Sequence, residues 1–153
     1  MNQAARTAPA AARNREPILR VLRDCLPPSA RVLEIASGTG EHAVWFCSAL
    51  PALTWQPTDQ DPEALRSIAA WRDSVGLPNV LPPLPLDAAA ETWPVAQADA
   101  VVAINMVHIA PWGATEGCLP VPRASWAACM SALATQRSML ACGRKTRPGA
   151  YAS

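Results

Sequence analysis

Apolar positions fall in short runs, punctuated by prolines, glycines and acids. Glu16-Pro17 opens a helical pattern with Ile18, Leu19, Leu22, Cys25 and Leu26 on one face, and Pro27-Pro28 stops it. Arg31–Ile35 is a compact apolar run entering Ala36-Ser-Gly-Thr-Gly40, which predicts a buried strand running into a tight turn. From Glu41 to Leu50 the residues Ala43, Val44, Phe46, Cys47 and Leu50 recur at helical spacing. Leu53–Pro57 predicts a second strand, followed by Thr58-Asp59-Gln60-Asp61. Asp61-Pro62-Glu63 then supplies cap, proline and first-turn acid in order, and Leu65, Ile68, Trp71 and Val75 carry a helix to Gly76.

Val80–Leu86 reads as a third strand, but Pro82, Pro83 and Pro85 have no N–H for a ladder and confine it to a sheet edge. Asp99–Asn105 is almost wholly apolar, the pattern of a central parallel strand covered on both faces. The order β-α-β-α-β-β with short connections predicts an α/β fold, a doubly wound Rossmann-like sheet.

The chain has 153 residues, half of them hydrophobic, which suits one domain with a buried core. No apolar run approaches the ~18 residues of a membrane span, so no membrane partner is expected. The net charge of +1 gives no strong nucleic-acid signal. Five cysteines without a CxxC pair point to free thiols in a reducing, cytoplasmic setting rather than a zinc ribbon or disulfide scaffold, and no metal site is expected. Residues 1–15 are Ala/Arg-rich, lack the apolar core of a secretory signal, and read as a mobile arm. Charge is unevenly spread: all 12 acids lie at or before Glu116, whereas residues 118–153 hold 5 of the 13 basic residues and no acid. Such a shift marks a boundary or a segment of different character.

The chemistry points to the turn after the first strand. Gly38 and Gly40 let the backbone turn sharply and approach a ligand, and the following helix offers free N–H groups. Gly38-Thr-Gly40-Glu-His-Ala43 also satisfies GxGxxA, with Asp59 about 20 residues on, where a ribose-binding acid of a dinucleotide fold belongs. An NAD-dependent oxidoreductase therefore competes. Glu34, flanked by Leu33 and Ile35 inside the strand, bears on the choice, because a carboxylate buried there is costly without a partner. An ammonium group near the turn would supply one and a nicotinamide cofactor would not; a basic residue of the N-terminal arm is the other candidate.

Val32-Leu-Glu-Ile-Ala-Ser-Gly-Thr-Gly40 resembles the first motif of class I S-adenosylmethionine-dependent methyltransferases, and Asp59-Gln-Asp-Pro-Glu-Ala-Leu65 is similar to their second. More narrowly, the chain resembles an uncharacterised methyltransferase-like family classed as a domain of unknown function. The matching stretches are Arg13–Ile18, Leu33–Ala43, Trp55–Asp59, Leu84–Asp87, Ile104-Asn-Met-Val-His-Ile-Ala-Pro-Trp112 and Glu116-Gly117.

The resemblance implies S-adenosyl-L-methionine as cofactor and an acceptor of unknown identity. Gly38 and Gly40 would line its methionine and ribose part, Glu34 would hold its amino group through water, Asp59 would accept the ribose hydroxyls, and Asp87 would meet the adenine amino group. Asn105 and Met106 would face the sulfonium. Ala36 stands where many class I enzymes have a third glycine of the cofactor turn. His108 is the candidate base, its alternative being a bond to backbone that orders the loop. His42 reads as structural or cofactor-adjacent. Trp112 would wall an acceptor pocket or pack the loop.

On this reading residues 16–117 form a partial methyltransferase domain and residues 118–153 an atypical basic tail in which the family resemblance stops. Arg123–Cys142 reads as one helix, with none of the later strands of a seven-stranded sheet. Strand four would then expose an edge through which copies could self-associate. In a shifted frame, codons 135–153 permit a Phe-Asp, a Ser-Leu-Arg and an Asp-Pro-Ala-Trp-Gly-Val-Arg similar to the family's downstream segment, so the tail reads as out of frame or, alternatively, as a lineage-specific extension. A truncated inactive remnant is accordingly a third functional reading.

Overall fold

The computed structural model describes residues 4–104 in full and residues 126–132 and 139–145 as backbone strands. The element order is α1 (Pro9–Cys25), β1 (Arg31–Ile35), α2 (Glu41–Ala49), β2 (Thr54–Asp59), α3 (Pro62–Val75), β3 (Leu84–Pro85), β4 (Ala100–Ile104), β5 (Trp126–Ala132) and β6 (Met139–Lys145). The sheet runs β3-β2-β1-β4-β6-β5. Its first four strands are parallel, with Glu34 opposite Pro57 on β2 and Val102 on β4. This is the Rossmann-like α/β architecture that the alternation of strand and helix predicts.

Alternation along β1 divides the core. Val32 joins Ile18, Leu19 and Leu22 of α1, Phe46 and Cys47 of α2, Trp55 and Val102 on one face. Leu33 and Ile35 pack with Leu86, Ala88 and Ala103 on the other. A strand covered on both faces has no polar side, which explains the near-continuous hydrophobic pattern of β1 and β4. Glu34 interrupts it.

Two prolines interrupt regular bonding. Pro57 is fully buried in β2 and cannot donate to its neighbour, nor can Pro82 beside it. The Gln56 side chain compensates: its Nε2 donates to Pro57 O at 3.1 Å and to Pro82 O at 2.7 Å. The edge character expected for residues 80–86 holds, but the strand shrinks to Leu84–Pro85 plus a bridge from Val80 to Trp55.

Helix α1 begins at Pro9 rather than Glu16, so residues 9–15 of the expected arm are helical and Pro17 lies inside the helix on its exposed side. Pro9 occupies the first turn, where a missing N–H costs nothing, and Pro17 forfeits one internal bond, to Arg13 O.

The sequence expectation for residues 118–153 requires correction. In place of one helix over 123–142 the chain forms β5 and β6, antiparallel to each other, and β6 pairs antiparallel with β4 from Ala100–Arg144 to Ile104–Leu140. Short Ala/Cys/Met-rich runs fit either period, and the unpaired N–H and C=O groups along β4 favour strand. The edge of β4 is therefore covered, and among the described residues β5 is the outer strand on that side. Among the described residues no helix is long and apolar enough to cross a membrane.

Candidate functional site

Strand order reverses between β2-β1 and β1-β4, and ligands of open α/β sheets bind outside the carboxyl ends of strands at such a switch point. The β1–α2 turn lies there. Its backbone is held largely by β2: Ser37 N–H donates to Thr58 O (2.9 Å), Thr58 N–H to Ser37 Oγ (3.1 Å), and Thr58 Oγ1 to Glu34 O (2.6 Å). Gly40 N–H closes the turn onto Ser37 O at 3.2 Å.

Three residues of the turn have left-handed φ: Ala36 (+54°), Gly38 (+60°) and Gly40 (+89°). The two glycines serve different ends. A Cβ on Gly40 would come within 2.8 Å of Ile68 Cα, so Gly40 lets α2 pack against α3. Among the described residues a Cβ on Gly38 would meet nothing within 4 Å, which leaves room there for a ligand to approach the backbone. Ala36 adopts the conformation that a glycine takes without strain, which accounts for a third glycine at this place in the resembled motif.

Asp59, at the end of β2, is buried at 7% exposure, and both carboxylate oxygens are engaged. Oδ2 accepts from Gly38 N–H at 2.9 Å and Oδ1 from Asp61 N–H at 2.9 Å. The acid thus joins the glycine turn to the start of α3, where Asp61 caps the helix through Glu63 N–H. Leu86 N–H donates to Asp59 O at 3.0 Å, which sets Asp87 beside this end of the sheet. Asp87 is exposed, with Oδ1 accepting from Ala89 N–H at 2.9 Å.

Glu34 is 1% exposed and lies beneath the turn. Trp55 Nε1 donates to its Oε2 at 3.0 Å, and the Ser37 hydroxyl also bonds the carboxyl. Burial raises its pKa to about 7, against the opposing pull of those two hydrogen bonds. Neither an arm residue nor an external ammonium is needed to satisfy it, so Glu34 does not by itself separate a sulfonium cofactor from a nicotinamide one. Sequence reasoning missed Trp55 and Ser37 in this role. No local motif carries this signal: it is the β1–β2 register, with Trp55 opposite Val32 and Pro57 opposite Glu34, that brings the indole diagonally to the carboxyl.

His42 is structural: its Nε2 lies 2.8 Å from Asn14 Oδ1 and its ring stacks on Phe46 at 5.3 Å. Burial lowers its pKa to about 4, so it is neutral at pH 7. The structure therefore brings together Glu34, Ala36, Gly38, Gly40 and Asp59, with Asp87 alongside. Asn105, Met106, His108 and Trp112 lie outside the described residues.

Residues 5–143 match the family described as protein of unknown function (DUF938). The chain belongs to this family. The match extends past Gly117, where the sequence reading ended the resemblance, and takes in β5 and most of β6. Among solved structures the fold is similar to that of the YcgJ protein from Bacillus subtilis (TM-score 0.59, 17% identity, 74% of this chain and 47% of that one). It is also similar to an O-methyltransferase family protein from Burkholderia thailandensis (0.59, 15%, 92% and 58%). The S-adenosylmethionine-dependent methyltransferase SibL gives comparable values (0.58, 14%, 90% and 56%). The fold is thus that of class I methyltransferases, and the chain spans about half the length of these three structures.

Proposed function

We propose that this DUF938 member binds S-adenosyl-L-methionine at the β1–α2 turn and belongs to a methyl-transfer system with an acceptor yet to be found. The observation that carries this reading is the Gly38 N–H bond to Asp59 Oδ2, which joins a glycine with room beside it to a buried acid at the end of β2. The residues fit the cofactor. Gly38 leaves room for close backbone approach, Asp59 is the residue proposed to accept the ribose hydroxyls, and Asp87 the one proposed to meet the adenine amino group. Glu34 supports the amino-acid end from beneath the turn through Ser37. Asn105 and Met106, next in sequence after β4, are the residues proposed to face the sulfonium.

When bound, the cofactor supplies an activated methyl group for in-line displacement. The chain's part is to align donor and acceptor and to exclude water. His108 is the residue proposed to take the acceptor's proton where its pKa requires a base. An NAD-dependent oxidoreductase shares the GxGxxA pattern, but the structural likeness to methyltransferases supports the sulfonium cofactor.

The test is calorimetric titration of the chain with S-adenosylhomocysteine, with NAD and the Asp59→Ala variant as controls. Binding of S-adenosylhomocysteine that Asp59→Ala abolishes is the expected result. Binding of NAD in its place, or of neither by a cooperatively folded chain, overturns the proposal.

A further inference from the structure

The residues preceding α1 cross from α3 to the start of α2 and are bonded at both ends. Arg6 O accepts from Trp71 Nε1 at 2.7 Å, and Arg6 N–H donates to Ser67 Oγ at 2.9 Å. Ser67 is fully buried on α3, and its hydroxyl donates to Thr39 O at 2.7 Å. Two residues further on, Ala8 N–H donates to Glu41 Oε2 at 2.6 Å, and the same oxygen accepts from Thr39 Oγ1 at 3.1 Å. Thr39 lies between Gly38 and Gly40. It is therefore gripped at its carbonyl by Ser67 and at its hydroxyl by Glu41, and each of these is in turn bonded by a backbone N–H of the N-terminal segment.

We infer that Ser67 and Glu41 are positioning residues of the cofactor site, and that residues 6–8 act through them as a strap fixing Thr39 and hence the amides of the glycine turn. This inference rests on the methyltransferase reading and deepens it. Two glycines in left-handed conformation leave the turn many alternatives, and holding the residue between them at two points removes that freedom before a ligand arrives. Pre-ordering of this kind raises affinity without adding a contact to the ligand. The serine link is directional. Its single proton goes to Thr39 O, and the Arg6 N–H fills the acceptor side, polarising the hydroxyl toward the turn. Ser67 is fully buried, so its hydroxyl acts within the fold rather than on a ligand.

Coupling of this kind is reciprocal: if the strap orders the turn for cofactor, bound cofactor must hold the strap by the same factor. The experiment follows both directions on the 153-residue chain. S-adenosylhomocysteine affinity is measured for the parent, Ser67→Ala, Glu41→Ala, Glu41→Gln, Arg6→Ala and Arg6→Pro, the last two compared so that loss of the strap's N–H to Ser67 is separated from loss of the side chain. Amide hydrogen exchange of Arg6 and Ala8 is measured in the parent with and without saturating ligand. Affinity is expected to fall about tenfold in Ser67→Ala and Glu41→Ala and severalfold in Arg6→Pro relative to Arg6→Ala. Glu41→Gln, which keeps an acceptor oxygen, restores most of it, and exchange at Arg6 and Ala8 slows about tenfold on saturation. Unchanged affinity in folded variants, or ligand-independent exchange of Arg6 and Ala8 in a parent that binds, overturns the strap. A folded parent that binds no S-adenosylhomocysteine overturns the reading beneath it as well. Should the variants fail to fold, parental exchange alone decides.

Discussion

Trp55 donates its indole N–H to Glu34 across the β1–β2 pair at 3.0 Å, and both side chains are sealed from solvent. A buried carboxyl with a neutral donor is tolerated because it can keep its proton, and its pKa near 7 places that choice within the physiological range. Trp55→Phe keeps an aromatic ring against Phe46 but removes the donor. The expected cost is about 2 kcal/mol, the usual penalty for orphaning a buried polar group. The cost is larger at pH 8, where Glu34 is ionised and needs the donor more, than at pH 5. Urea unfolding at the two pH values measures it, and equal losses would mean that the indole acts through packing alone.

Glu34 and His42 give opposed pH dependences. Glu34 rises from 4.5 to about 7 on burial, so between those values the folded chain keeps a proton that the unfolded chain has lost, and stability falls as pH rises. His42 drops from 6.5 to about 4, so the unfolded chain binds the extra proton and stability rises with pH across that interval. Each swing is on the order of 3 kcal/mol, and the two cancel where they overlap. Relative to the parent, Glu34→Gln gains stability as pH climbs from about 4.5 to 7, whereas His42→Gln gains it as pH drops from 6.5 to 4. Denaturant midpoints across this range check both signs, and parallel profiles for parent and variants would contradict the assignment.

Gln56 replaces bonds that prolines remove, and it faces Pro57 and Pro82 from within the sheet. Gln56→Leu would fill the space yet leave two carbonyls without their donor. A loss of about 2 kcal/mol is expected. The backbone amide of Leu81, which donates to Trp55 O at 2.9 Å, should also exchange faster as the β2 edge loosens. Unaltered exchange at Leu81 would show that the prolines are held by other means.

Much of this architecture was legible in the sequence because its signals are local. The Asp61-Pro62-Glu63 cap, the Gly76 stop and the apolar run of β4 each state their structure within a few residues. The geometry of the candidate site was legible where backbone conformation dictates residue type, at Gly38 and Gly40, and where an acid ends a strand, at Asp59. The partner of Glu34 was not, because it depends on β1–β2 register, which no stretch of chain announces. The same holds for residues 126–132 and 139–145: their Ala/Cys/Met pattern fits helix or strand, and the open side of β4, distant in sequence, decides between them. Likewise Pro17 read as a helix start, whereas Pro9 and the bond of Ala8 to Glu41 set the beginning of α1 earlier.

The turn itself offers a graded test of backbone strain. Gly40→Ala combines φ +89° with a Cβ 2.8 Å from Ile68 Cα, a backbone atom that cannot swing aside, so α2 and α3 must separate. The expected loss is about 3 kcal/mol, well beyond the conformational penalty alone. Gly38→Ala meets no neighbour among the described residues, and left-handed φ costs it about 1 kcal/mol. Ala36→Gly moves the other way, relieving a φ of +54° at the expense of one half-buried methyl group and a more flexible unfolded chain. It is expected to be neutral to stabilising by about 0.5 kcal/mol. Thermal melts of the three variants should rank Ala36→Gly above Gly38→Ala above Gly40→Ala. For ligand binding the order of the glycines reverses in kind: Gly38→Ala puts a methyl group where cofactor must approach, so S-adenosylhomocysteine affinity should collapse in a chain that still folds. A Gly38→Ala variant that binds as tightly as the parent would mean that the open side of the turn is not the cofactor's.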